Sequence, residues 1–248
     1  MYSIDLNSDL GESFGAYKLG CDEEIIKYVT AANIACGWHA GDPMVMTKTV
    51  KMAHEHGVDV GAHPGLPDLM GFGRRKMNVS AAELKAYIKY QLGAMAAFTK
   101  AEGVPLHHMV PHGAISQFNE EWAHAICEAV GEVDDNIIIY AIAGSNVDKA
   151  ARAEGLKVAS EIFADRAYMD DLSLAPRGME GAMITDEGFA IERCIKMVKE
   201  GRVTGLSGKE LEIQGDTLCV HGDGPKALAF VQKIREAFKQ EGIEIHGI

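Results

Sequence analysis

Asp5-Leu-Asn-Ser-Asp-Leu-Gly-Glu12 is the stretch on which the fold turns. Side chains alternate faces along a strand, so Asp5, Asn7 and Asp9 share one side while Ile4, Leu6 and Leu10 take the other. A buried polar group without a partner costs roughly 1–3 kcal/mol and an unpaired charge costs more. Three such groups on one strand therefore mark either a wet sheet edge or a site. The rest of the chain decides between them, because polar strand endings recur along it. Predicted strands lie at 32–36, 58–63, 106–110, 136–143, 157–163 and 217–221, each separated from the next by a helix. Asn136-Ile-Ile-Ile-Tyr-Ala-Ile-Ala143 is a near-continuous apolar run, as a parallel strand covered on both faces requires.

Helix boundaries are written in the capping residues. Asp42 precedes Pro43 at the start of a helix that stops at Gly57. Ser80-Ala-Ala-Glu83 has capping-box spacing and opens a long helix to Gly103. Asn119, Ser145 and Asp186 cap three more, and a last helix ends at Gln240. Gly201–Gly215 is a glycine-rich insert, and Gly205-Leu-Ser-Gly-Lys209 within it is a turn, lacking the spacing of a phosphate-binding loop.

Repeated βα units predict a single parallel α/β domain over residues 1–248. An open sheet would collect ligand groups at one switch point, whereas a barrel gathers every strand's C-terminal end on one rim. Here the polar endings are spread over the whole chain: Asp9 and Glu12, His39 and Asp42, His63, His112, Asp165 and Arg166, His221 and Asp223. The predicted fold is a distorted (β/α) barrel of about seven parallel strands.

The chain has 248 residues, 47% of them hydrophobic, and a formal net charge of −12. That composition excludes a disordered chain and argues against a nucleic-acid partner. No stretch approaches the roughly 18 apolar residues a membrane span needs. Cysteines 21, 36, 127, 194 and 219 are odd in number and lack CxxC spacing, so they read as reduced thiols. With no signal peptide at Met1-Tyr-Ser-Ile-Asp5, the expected location is the cytoplasm. A homo-oligomer is compatible with all of this.

Histidines 39, 63, 112 and 221 each close a different strand, His39 between Gly37 and Gly41 and the others next to Gly or Pro, which let backbone approach a ligand and fix loop direction. His108 is a secondary candidate, whereas histidines 54, 56, 124 and 246 lie on helix faces or the tail. Two chemistries fit the set. One is a divalent metal held by Asp9, His39 and His63 that activates water. The other is metal-free acid–base catalysis by Asp9, Glu12, His39, His63 and His112. In either case Asn7, Arg74, Asp165, Arg166, Arg177, His221 and Asp223 would bind an anionic substrate.

A specific resemblance runs through the same residues. Asp5–Glu12, Asn33-Ile-Ala-Cys-Gly-Trp-His-Ala-Gly-Asp42, Gly61-Ala-His-Pro64, Gly71-Phe-Gly-Arg-Arg75, Pro111-His-Gly113, Phe163-Ala-Asp-Arg166, Pro176-Arg177 and His221-Gly-Asp223 resemble the LamB/YcsF family. The resemblance implies a barrel similar to the glycoside hydrolase/deacetylase group. It also implies ATP-coupled hydrolysis of a cyclic amide, 5-oxo-L-proline to L-glutamate, with two partner subunits that complete the ATP site. Where the family carries a lysine before Pro-His-Gly this chain has Val110, and the family's Tyr-Asn pair is Ser116-Gln117. Trp38 replaces a phenylalanine and Ala167 a glycine. An aliphatic side chain cannot replace an ammonium. Alternatives are therefore a metal-dependent amidase or deacetylase acting on a different cyclic amide, and a non-catalytic ligand-binding subunit.

Overall fold

A computed structural model describes residues 1–116, 119–221 and 227–248. Seven parallel strands close into a barrel: β1 (Tyr2–Leu10), β2 (Ala31–Ala35), β3 (Asp59–His63), β4 (His108–Met109), β5 (Ile138–Ile142), β6 (Val158–Phe163) and, after a two-stranded hairpin, β9 (Thr217–Cys219), which pairs with both β6 and β1. The hairpin is β7 (Arg202–Thr204) against β8 (Glu210–Glu212), antiparallel, and its connection contains the turn expected at Gly205–Lys209. Helices α1 (Asp22–Ile25), α2 (Pro43–His56), α3 (Ala81–Glu102), α4 (Glu120–Val133), α5 (Asn146–Ala153), α6 (Glu187–Glu200) and α7 (Ala227–Gln240) surround the barrel.

Capping chemistry places the helices where the sequence predicts. The Asp42 carboxylate accepts from Met44 N and Val45 N, while its other oxygen takes Gly15 N at 2.7 Å, tying the loop after β1 to α2. Ser80 and Glu83 form the full capping box of α3. Asn119, Ser145 and Asp186 cap α4, α5 and α6. Two elements depart from the sequence reading. The fourth strand shrinks to two residues because Leu106 and Pro111 lie outside the pairing with β3 and β5. A tenth strand, β10 (Ile243–Ile245), pairs in parallel with Tyr2–Ile4, on β1 below the stretch taken by β9. Its three residues carry too little pattern to be read as a strand.

Apolar residues between barrel and helices form the main core, including Leu6, Leu10, Ile34, Val60, Ile139, Ile162 and Leu218. The barrel interior is polar instead. Asp5, deep in the barrel as expected, accepts from the hydroxyls of Thr30 and Thr217. Asn7 donates to Thr217 Oγ1 at 2.7 Å and accepts from Asn33 at 2.8 Å. His108 lies across the interior with its Nε2 2.9 Å from Asn33 Oδ1, its ring stacked on Tyr140 at 4.2 Å. It passes directly over Gly61, where a Cβ would overlap the imidazole. The strand position facing His108 must therefore be glycine. Among the described residues, no helix is long and apolar enough to cross a membrane.

Candidate active site

The C-terminal strand ends open into a cavity of about 390 Å³. Asp9, His63, Val110, Ile142, Glu161, Phe163, Cys219 and His221 rise from the barrel to line it, and Arg74, His112, Ser116, Arg166, Pro176 and Arg177 come from the loops.

Histidine geometry fixes several protons. His63 Nδ1 stands 2.8 Å from the Val110 carbonyl and His112 Nε2 2.8 Å from the Phe72 carbonyl. A carbonyl oxygen can only accept, so both nitrogens carry hydrogen. The opposite nitrogens, His63 Nε2 and His112 Nδ1, then face each other at 2.8 Å, with Asp9 Oδ2 3.4 Å from His63 Nε2. Two lone pairs cannot meet at that distance, so the contact needs one proton or one cation. Burial disfavours charge on His63, but Asp9, Glu12 and the Val110 carbonyl outweigh it and raise its pKa above the ordinary imidazole range. The proton thus belongs to His63. Burial alone would raise the Asp9 pKa, yet His63 and His221 hold it well below the usual carboxylate range.

Glu12 and His39 sit behind this pair. His39 is fully buried, its ring stacked on His112 at 3.6 Å and nearly parallel (4°), with Nε2 3.3 Å from Glu12 Oε1. Burial, then the neighbouring imidazoles, keep His39 and His112 well below the ordinary range, so both are neutral. Phe72, one of two non-glycine residues with positive φ among the described residues (55°), packs edge-on to both rings. A left-handed L-residue costs roughly 1–2 kcal/mol, here borne at the site itself. Gly73, also left-handed, presses against both rings; a Cβ there would lie 2.7 Å from His39 Cβ.

One ligand atom from each of Glu12, His39, His63 and His112 falls within a single group no wider than 4.8 Å. Three observations suit a divalent metal. His39 Nδ1 is buried without a partner, three imidazoles and a carboxylate are a zinc-type donor set, and the outer nitrogens of His63 and His112 are anchored on carbonyls. The metal-capable group has Glu12 where the sequence reading put Asp9. Asp9, Cys219 and His221 also converge, but burial and then Glu161 keep the Cys219 thiol protonated, and a thiol ligates only as thiolate.

Other sequence candidates are placed as follows. Asn7 does not line the cavity, because its amide is taken up by Thr217 and Asn33 in the layer below, which corrects its expected role in binding substrate. Asp165 likewise stands behind the cavity and holds His221 Nδ1 at 2.9 Å. His108 is structural, as described. Arg74, Arg166 and Arg177 line the cavity, whereas Arg75 turns away to Asp68. Asp223 and Gln117 lie outside the described residues. Trp38 packs on Tyr87 and Tyr90 of α3, not on the site. Val110 lines the cavity with its side chain while its carbonyl anchors His63, a contact the missing lysine leaves untouched.

Arg166 Nη2 donates to the Ala175 carbonyl at 2.6 Å, but its buried Nε has no acceptor. Burial, then Arg177, lower its pKa to about 10, so it remains a cation awaiting an anion. Two residues escaped the sequence reading. Glu161 was legible as a lone acid in Val158-Ala-Ser-Glu-Ile-Phe163, on the inward face with Ala159 and Phe163. Arg193, on the buried side of α6, donates to the carbonyls of Phe163 (2.8 Å) and Arg166 (2.7 Å) and so sets the loop that carries Asp165 and Arg166. Helical periodicity gives its buried position but not its targets.

The Asp165–His221 pair has a defined pH window. Burial opposes both charges, yet pairing lowers the Asp165 pKa and raises that of His221. The carboxylate's contribution is fully present above its unfolded value, roughly pH 4, and the imidazolium's below roughly pH 6.5. The stability gap between wild type and Asp165→Asn should therefore be widest between those values. It should shrink as acid protonates Asp165 and as base discharges His221. Urea unfolding from pH 3 to 9 checks this; a gap flat across that range would rule the pair out.

A LamB/YcsF family model matches residues 4–248. A Clostridium beijerinckii protein named as a 5-oxoprolinase subunit is 56% identical over 248 residues, 99% of this chain and 97% of that one. The crystal structure of a lactam utilization protein from Thermus thermophilus superposes with a TM-score of 0.93 at 45% identity, covering 99% of this chain and 100% of that one. A family 4 carbohydrate esterase from Streptomyces lividans has a TM-score of 0.54 at 10% identity, covering 100% and 92%, a likeness of fold alone.

Proposed function

Because the chain belongs to the LamB/YcsF family, we propose that its barrel mouth hydrolyses a cyclic amide, 5-oxo-L-proline, as one component of a multi-subunit enzyme of the 5-oxoprolinase type. The observation that carries this reading is Arg166, a buried cation with an unpartnered Nε in the cavity that holds the Asp9–His63 pair. A small lactam carboxylate would pair with this guanidinium at the cavity wall. Arg74 and Arg177 reinforce the field. Asp9 and His63 then face water at the ring carbonyl, with His63 moving a proton between its Nε2 and His112 Nδ1.

Opening a five-membered lactam works against a tethered amine and carboxylate of large effective concentration, so coupling to ATP would draw the reaction forward. The absence of a phosphate-binding loop motif from this sequence is in keeping with an ATP site completed by two partner subunits. Glu12, His39, His63 and His112 would hold a divalent cation, whose chemistry, when bound, is to lower the pKa of water. That donor set supports a second reading, a metal-dependent amidase on the same cavity.

The first test is 5-oxoproline turnover by the chain with its partner subunits and ATP. Glutamate formation is expected, and none at saturating substrate would sink the substrate assignment. Metal analysis of chelator-free protein separates the readings. Stoichiometric zinc or manganese lost in His63→Ala, with turnover independent of ATP, favours the second; metal-free protein with full activity removes it.

A further inference from the structure

We propose that Glu161 is the catalytic acid of this cavity, delivering a proton to the ring nitrogen as the lactam C–N bond breaks. The inference rests on the cyclic-amide reading above and assigns a step that Asp9, His63 and the arginines leave open.

Glu161 is on β6, paired across to Ile142 of β5 and Thr217 of β9, with its side chain in the barrel. It is 3% exposed and lines the cavity with Asp9, His63, Cys219 and His221. The Asn7 side chain and the Cys219 thiol stand near its carboxyl, and Oε1, fully shielded, has no partner. An acid serving only the core would have both oxygens satisfied, because an orphaned buried group costs roughly 1–3 kcal/mol. The side chain that carries this oxygen lines the space a ligand would fill.

The groups around it settle which form it holds. Asp9 and Asn7 reach it from β1, Tyr140 from β5, Cys219 and His221 from β9, and Tyr168 from the loop after β6. Among these His221 alone brings positive charge, and Asp165 already neutralises it. Burial, then the Asp9 carboxylate, push the Glu161 pKa up to about 8. Two carboxyl groups in one cavity thus take opposite forms, Asp9 ionised and Glu161 protonated, the division of labour that acid–base hydrolysis needs.

The step balances. Water adds to the carbonyl carbon and loses a proton to the Asp9–His63 pair. The C–N bond breaks with its electron pair going to nitrogen, which takes the Glu161 proton and leaves as an amine. The pair returns its proton to Glu161, and the new carboxylic acid gives its own to the amine. An amide nitrogen is too basic to leave as an anion, so this proton is required however the carbonyl oxygen is activated.

The test uses the assembled enzyme and the near-isosteric Glu161→Gln. Lactam kcat should fall at least about 100-fold with KM within about threefold, since only the transition state loses an interaction. A γ-lactone carrying the same carboxylate has an oxygen leaving group that needs far less protonation, so its hydrolysis should drop less than about tenfold. Glu161→Asp should recover part of the lactam rate, and it stands in if the glutamine variant melts early. Equal losses on lactam and lactone, or unchanged lactam kcat, would overturn the assignment. If wild type opens no lactam, the cyclic-amide reading fails instead. If it opens the lactam but not the lactone, the kcat–KM split decides, and a loss confined to KM overturns the proposal.

Discussion

Asp9→Asn is expected to lower lactam turnover by about 10²–10⁴-fold with no loss of fold, the range for removing a general base or its partner. Asparagine fills the same space and can keep the Asn33 contact, which now runs to Asp9 Oδ1 at 2.9 Å. It cannot keep the proton on His63. In the wild-type site burial already works against that charge, and the Asp9 carboxylate is the largest group opposing burial. Without it the His63 pKa should fall below the ordinary imidazole range, leaving two neutral rings whose lone pairs collide across a 2.8 Å contact. The rings must then part or lose a backbone anchor. Imidazole NMR titration reads the fall, steady-state kinetics the turnover. Retained turnover with a depressed His63 would show that the pair does not activate water.

Gly61→Ala should cost the fold about 1–3 kcal/mol, the usual penalty for overpacking a filled interior. At this chain length that corresponds to a melting temperature lower by about 2–4 °C per kcal/mol. The new methyl would lie within the His108 ring. That ring cannot swing aside freely, since Tyr140 stacks on it and its Nε2 is bonded to Asn33. Displacing it would also loosen Asn33, which supports Asn7 and Asp9. Combining Gly61→Ala with His108→Ala should restore much of the loss, because the second change vacates the space the first invades. A single variant that melts like wild type, or a double variant no better than the single, would contradict the assignment of Gly61 to His108.

Both results depend on contacts that join distant parts of the chain, and there the sequence reading thins out. Asp9, His63 and His112 were legible because a polar residue at the end of an apolar strand is a local anomaly. Asn7 showed the same signal, yet the structure commits its amide to Thr217, 210 residues away. Glu12 was expected at the rim, but it turns back to His39 and joins the buried histidines. Glu161 went unread because one acid in a β-strand is ordinary until its surroundings are known. Val110 drew notice as a departure from the family pattern, but its carbonyl, which every residue type has, makes the contact that orients His63.

The sequence alone determined the alternation of strand and helix, the caps that start α2 to α6, and the strand ends that carry chemistry. These rest on periods of two and 3.6 residues and on side chains reaching their own backbone, all local properties. Only the tertiary structure decided that β9 closes the barrel by pairing with both β6 and β1, which histidine faces which, and which carboxyl keeps its proton. Burial and neighbouring charge set proton affinity, and both come from residues that the chain brings together only when the barrel closes.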